Sequence, residues 1–243
     1  MTTSNPTLSR DTFSREPLTQ TGGAMTVRGT ANKTLALLAL AVVSGSYTYS
    51  HAQGGAGMGL TMLGAFGGFI VAMVLCFKRT WAPGLAPVYA LLEGLFLGGI
   101  TALYSARTGG IVFQAVALTF GTMFALLAAY QCGFIRATEK FKLGIFAATG
   151  GIAVLYLVSM VLGFFHVQIP GIFGSGMVGI GFSLVVVVIA ALNLVLDFDM
   201  IEQGARSGAP KYMEWYGAFG LMVTLVWLYL EILRLLAKLK DNR

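Results

Sequence analysis

The sequence predicts an all-α integral membrane protein with seven hydrophobic helices, and three observations predict it. Only 11% of its 243 residues are charged, 56% are apolar, and mean hydropathy is +0.78. A soluble domain carries ~25% charged residues to cover its surface. The apolar residues fall into seven runs of ~17–24 residues, each long enough to cross a hydrocarbon core of ~30 Å as a helix. The segments between the runs hold most of the charges and helix-ending residues. This composition excludes a soluble enzyme, a disordered chain and a disulfide scaffold. Cys76 and Cys132 form neither a CxxC pair nor a disulfide framework, so they are expected to be plain thiols in the membrane.

The elements follow in order. Residues 1–33 are rich in Ser and Thr and carry both charge signs, which reads as a disordered cytoplasmic tail. Residues 34–240 are expected to form the seven-helix membrane domain. Ser50-His51-Ala52 loosely resembles a signal-peptide cleavage site, but the polar stretch before it is long for such a peptide. The runs lie near 34–50, 56–77, 84–104, 111–131, 143–165, 177–200 and 214–237, with breaks at 51–55, 78–83, 105–110, 133–142, 166–176 and 202–211. The fourth break has room for a short helix. No soluble domain fits anywhere, and no internal repeat is evident. Gly64 with Gly68, and Gly94 with Gly98, make two GxxxG spacings that let helix backbones approach closely.

Basic residues set the expected orientation. With the N-terminus inside, Arg10, Arg15, Arg28, Lys33, Lys78, Arg79, Arg136, Lys140, Lys142, Arg206 and Lys211 are cytoplasmic, eleven of the 16 basic residues. Arg107, Arg234, Lys238, Lys240 and Arg243 fall on the other side. The seventh run therefore either breaks the positive-inside rule or does not cross fully.

Ionisable groups within a span are costly, so each is a functional candidate. Glu93 lies about ten residues into the third run, near mid-membrane at ~1.5 Å per residue. It reads either as a neutral, hydrogen-bonded interhelical group or as part of an ion or proton path. Asp197 and Asp199 lie late in the sixth run, two residues apart and on different faces. Asp197 shares a face with Asn193, whereas Asp199 has the option of solvent. Glu202 and Glu214 are expected at the interface, with Trp215 and Tyr216 in an aromatic belt. Glu231 in the seventh run has Arg234 three residues on, so a local ion pair is available. Alternatively Glu231 meets an acid on another helix. Two touching carboxylates share a proton, and when ionised they form a hard-oxygen site suited to calcium.

Enzyme readings are weak. His51 and His166 lie in loops without accompanying ligands, and Gly174-Ser175-Gly176 has no histidine partner in a span. Leu196-Asp197-Phe198-Asp199 lacks the glycine-flanked aspartate expected of an intramembrane aspartyl protease. There is no P-loop, dinucleotide fingerprint or HExxH motif. The chain is not expected to be an enzyme, to need a cofactor or to bind nucleic acid.

Three stretches carry a family resemblance: PVYALLEGLFLGGI at 87–100, NLVLDFDMIEQG at 193–204 and EWYGAFGLMVTLVWLYLEILRLL at 214–236. They resemble the Bax inhibitor-1/YccA-like family, also called the transmembrane Bax-inhibitor-motif family, and most closely its bacterial branch. The likeness covers about residues 30–240. It implies six helices in two three-helix layers around a central C-terminal helix. It also implies a pH-sensitive calcium leak gated by a proton-sharing acidic pair. Asp197 matches the first acid and Glu231 the second, the same two that would hold calcium. Glu93, Asn193 and Asp199 would line or support the pore. At position 231 the family usually has Asp, and here the segment between the two acids is longer. Some YccA-like relatives are linked to a membrane-bound AAA protease, so the second reading is a non-channel modulator of such a partner. A proton-coupled transporter is the third. The implied location is a bacterial inner membrane, with the N-terminus cytoplasmic.

Overall fold

Every apolar run becomes a helix. The computed structural model describes residues 23–52, 55–165, 171–172 and 174–242. Its order is α1 (Val27–Ser50), α2 (Gly55–Phe77), a 3-10 turn (Arg79–Trp81), α3 (Ala82–Thr108), α4 (Ile111–Gln131), α5 (Glu139–Phe164), α6 (Met177–Arg206) and α7 (Met213–Asp241). Several helices outrun their apolar cores because polar residues cap or extend them. Thr138 begins α5 by accepting the Phe141 N–H at 3.3 Å, in the break where a separate short helix had room to form. Gly109 and Gly110, both at positive φ, reverse the chain between α3 and α4.

The boundary of the expected tail is corrected. Residues 1–22 lie outside the described residues, but 27–33 are helical and 24–26 bond to the bundle. Thr26 caps α1 by accepting the Gly29 N–H at 2.9 Å. Met25 is buried, and its amide donates to the Ala209 carbonyl at 2.7 Å. The segment looked like tail because its ordering contacts come from the α6–α7 connection, nearly two hundred residues away.

Six helices, α2 to α7, are long and apolar enough to cross a membrane. α1 is less apolar, yet it lies along α3 and reaches from Glu214, at the start of α7, to Ser105, near the end of α3. Four of its hydroxyl residues, Thr30, Thr34, Ser44 and Thr48, are buried. Thr30 and Thr34 each donate to the carbonyl four residues back at 3.0 Å, and Ser44 does so at 3.1 Å. Such bonds satisfy a hydroxyl without water.

α7 is the central element. Half of its apolar stretch is buried, against 11% for α5. α1, α3, α4 and α6 pack on α7, while α2 lies mainly against α3 and α5 mainly against α6. The six thus form two trios, α1–α2–α3 and α4–α5–α6, flanking α7. The first trio is tight. A β-carbon at Gly94 would collide with Ala41 and Ser44, one at Gly98 with Gly45, and one at Gly64 with the Leu92 carbonyl. Both GxxxG spacings therefore serve close packing.

The basic C-terminal end also has a structural explanation. α7 runs its full length antiparallel to α6, so its last turn lies at the face opposite its first. There Lys240 donates to the carbonyls of Thr108 and Gly109, at the C-terminal end of α3, where a cation meets the negative end of the helix dipole. Lys238 is buried and donates to the Ile172 carbonyl at 3.1 Å, the Gly179 carbonyl at 3.0 Å and Ser183 Oγ at 2.9 Å. Arg234 pairs with Glu231. These cations are engaged in bonds within the protein, so their position need not report orientation.

Candidate functional site

The five candidate residues fall into two regions. Glu93 stands apart, on α3. It faces Tyr89 one turn back and lies against Gly68 of α2, where an added β-carbon would be 3.1 Å from its Oε2. No basic side chain among the described residues forms an ion pair with it.

The other four line the region where α5, α6 and α7 meet. Asp199 accepts Lys142 Nζ of α5 on Oδ2 at 2.9 Å, and Gln203 also donates to that oxygen. The Tyr130 hydroxyl of α4 donates to Glu202 at 2.6 Å and to Asp199 at 3.4 Å. Asp199 is therefore engaged in a cluster between helices rather than simply solvated. Asn193 Nδ2 donates to Thr149 Oγ1 of α5 and to the Ile189 carbonyl, both at 2.8 Å.

Glu231 is almost wholly buried, at 1% exposure. It accepts Arg234 Nη1 on both oxygens, at 3.0 and 3.1 Å, and the Tyr156 hydroxyl of α5 on Oε1 at 2.8 Å. Arg234 also donates to the Tyr156 oxygen at 2.7 Å and lies 5.2 Å from its ring centre. The local ion pair within α7 is thus formed, and Tyr156 links it to a second helix, α5.

Asp197 differs from all of these. Its neighbour on α7 is Thr224, and its Oδ2 is buried with no hydrogen-bond partner among the described residues. A buried acceptor left without a donor costs ~1–3 kcal/mol. The expected contact between Asp197 and Glu231 is not made in this structure. α6 ends at Arg206 and α7 begins at Met213, so their antiparallel register sets Asp197 opposite Thr224. Glu231 lies seven residues farther along α7, about 10 Å at ~1.5 Å per residue. The two-carboxylate calcium set is accordingly not assembled here. Among the described residues no three His, Cys, Asp or Glu side chains gather into a possible metal cluster. His51 packs on Tyr47 at the end of α1, and His166 lies outside the described residues.

An apolar cavity of about 380 Å³ opens between α1, α3, α4 and α7. Ala41, Val116, Phe120 and Leu225 help to line it, and no carboxylate or basic side chain does. The Thr101 and Tyr229 hydroxyls meet at 2.9 Å at its wall. It offers room for hydrocarbon, whereas the Asp199–Lys142 and Glu231–Arg234 pairs lie on the α5 side of the protein.

Reading the sequence for acids missed the groups that face them: Lys142, Thr149, Tyr156 and Thr224. A signal existed for three of these. Lys142, Thr149 and Tyr156 recur every seven residues, which puts polar side chains on one face of an otherwise apolar helix.

A family model described as Bax inhibitor 1 like matches residues 5–241. A comparison with curated proteins returned no match.

Proposed function

The chain belongs to the Bax inhibitor 1 like family, and on that premise we propose that it is a passive, pH-sensitive calcium leak. The observation that carries this reading is Asp197. A carboxyl within a span whose buried oxygen lacks a partner among the described residues is a costly feature for a membrane helix to keep. Gaining or losing a proton there changes the charge between α6 and α7. It thereby shifts the balance between two packings of those helices.

Glu231 is the second acid of the proposed gate. Arg234 neutralises it in this conformation, and parting that pair would free hard carboxylate oxygens for a dication. The two acids act at successive depths along the α6–α7 interface. Glu93 supports the packing of α2 on α3. The charge count favours an N-terminus in the cytoplasm, and a bacterial inner membrane is the proposed location.

The test is calcium flux into liposomes holding the purified full chain, followed across the neutral pH range. Wild type should conduct with a clear pH dependence. Asp197→Asn, which cannot titrate, should lose that dependence while remaining folded. A variant that keeps the wild-type pH profile would remove Asp197 from the gate. A folded wild-type protein with no flux at any pH would overturn the leak itself and move the reading to a modulator of a protein partner, such as a membrane-bound protease.

A further inference from the structure

Among the described residues three polar contacts tie α5 to the rest of the protein, and they form a column through the membrane. Lys142 meets Asp199, Thr149 meets Asn193, and Tyr156 meets Glu231 with Arg234. From Lys142 to Tyr156 is fourteen residues, about 21 Å at ~1.5 Å per residue, or two thirds of a hydrocarbon core of ~30 Å. Asp197, with its unpartnered buried oxygen, lies one turn from Asn193 on the same helix. Charged and polar groups thus recur along one seam between α5 and the α6–α7 pair.

Little else holds α5 there. Of its 26 residues, Ile145 and Ile152 are the buried ones. Gly150 and Gly151 follow Thr149 directly, and a β-carbon on either would meet nothing within 4 Å. Close packing therefore does not require these glycines, unlike Gly94 and Gly98 of α3. Paired glycines within a helix loosen it and are a common site of bending. The opposite side of the protein offers no comparable route. The cavity between α1, α3, α4 and α7 has no charged lining, and the first trio is locked by backbone contact.

We propose that this seam is the cation path: α5 bends at Gly150–Gly151 and parts from α6 and α7, and Asp199, Asp197, Asn193 and Glu231 then face a water-filled route. This rests on the leak reading and adds where the ion passes. In the structure described here the three contacts close the seam. Each uses groups able to rebind water or a cation when they separate. The path takes a hydrated cation that can exchange water for carboxylate and amide oxygens, as calcium does.

The experiment uses the full chain in liposomes with Cys76 and Cys132 replaced by serine. Single cysteines are placed at Thr149 and Tyr156 on the seam, and at Val154 and Leu157, which are 63% and 59% exposed on the outer surface of α5. A charged, water-soluble methanethiosulfonate should label positions 149 and 156 and leave 154 and 157 unlabelled. Modification at 149 should abolish calcium flux. Separately, the Gly150→Ala/Gly151→Ala double variant should lose flux while its thermal unfolding stays at or above wild type, an outcome that a purely structural role would not produce. Wild-type conduction with no labelling at 149 would overturn the seam and leave the leak standing. Full flux in the double alanine variant would overturn the bending of α5. Labelling at 149 in a protein that never conducts would refute the leak, and the cation path with it.

Discussion

Replacing Glu214 with alanine tests how the two ends of the chain are joined. Glu214 begins α7, its side chain is inaccessible, and four donors converge on it. They are the Thr26 amide at 2.9 Å, the Thr26 hydroxyl at 2.8 Å, Lys211 Nζ at 2.9 Å and Lys33 Nζ. Removing one partner of a buried ion pair costs ~3–5 kcal/mol. Here Lys211 is 47% exposed and Lys33 is 19% exposed, so both can turn partly to water. That discount sets the expectation at the lower end, about 3 kcal/mol. For a chain of this size it corresponds to roughly 6–12 °C in apparent Tm. Trp215 lies beside the cluster, with Lys33 5.4 Å from its ring centre, so its fluorescence follows unfolding in detergent or nanodiscs. Lys211→Met should cost less than ~1 kcal/mol, as a mostly exposed pair does. Gly29→Ala should mimic the loss of Glu214, because its β-carbon would displace the carboxylate. If Glu214→Ala unfolds within ~1 kcal/mol of wild type, or Lys211→Met costs as much, the cluster is not the anchor described.

Two further substitutions test the packing. Gly98→Val forces side-chain atoms into the Gly45 backbone and should cost ~1–3 kcal/mol, whereas Gly121→Ala meets open space and should gain up to ~1 kcal/mol from helix propensity. Paired thermal unfolding curves check both, and equal shifts would contradict the tight first trio. Lys238→Met should lose ~1–3 kcal/mol, because three hydrogen bonds to an ammonium disappear, and hydrogen bonds within membrane proteins average ~0.6 kcal/mol with maxima near ~1.7. An unchanged Tm would show that the buried lysine does not hold the end of α7 to the start of α6.

The number and order of the helices were legible in the sequence, because a bilayer imposes one length and one polarity on every span. The same constraint marked Glu93, Asp197 and Glu231 as unusual, since a carboxyl in hydrocarbon has no neutral explanation by composition. The family motifs were legible for a related reason: they join acids and aromatics at set spacings along single helices. The Arg234 partner of Glu231 was legible from its i,i+3 spacing, but what the acids touch on other helices was not. Asp197 and Glu231 both match acids of one expected gate, yet the α6–α7 turn at 207–212 decides which residues lie at the same depth. That register depends on how two helices meet across six intervening residues, and helix periodicity alone does not report it. Nor did polarity identify residues 23–33 as ordered, because the partner that orders them, Glu214, is distant in sequence. The sequence by itself determined a helical membrane protein with buried acids, because burial in lipid acts on each segment separately. A central α7 was implied by the family resemblance, but only the tertiary structure decided that Asp197 faces Thr224 and that, among the described residues, α5 is held by three polar contacts. Those outcomes arise between helices, where packing and hydrogen bonding depend on the neighbour as much as on the residue.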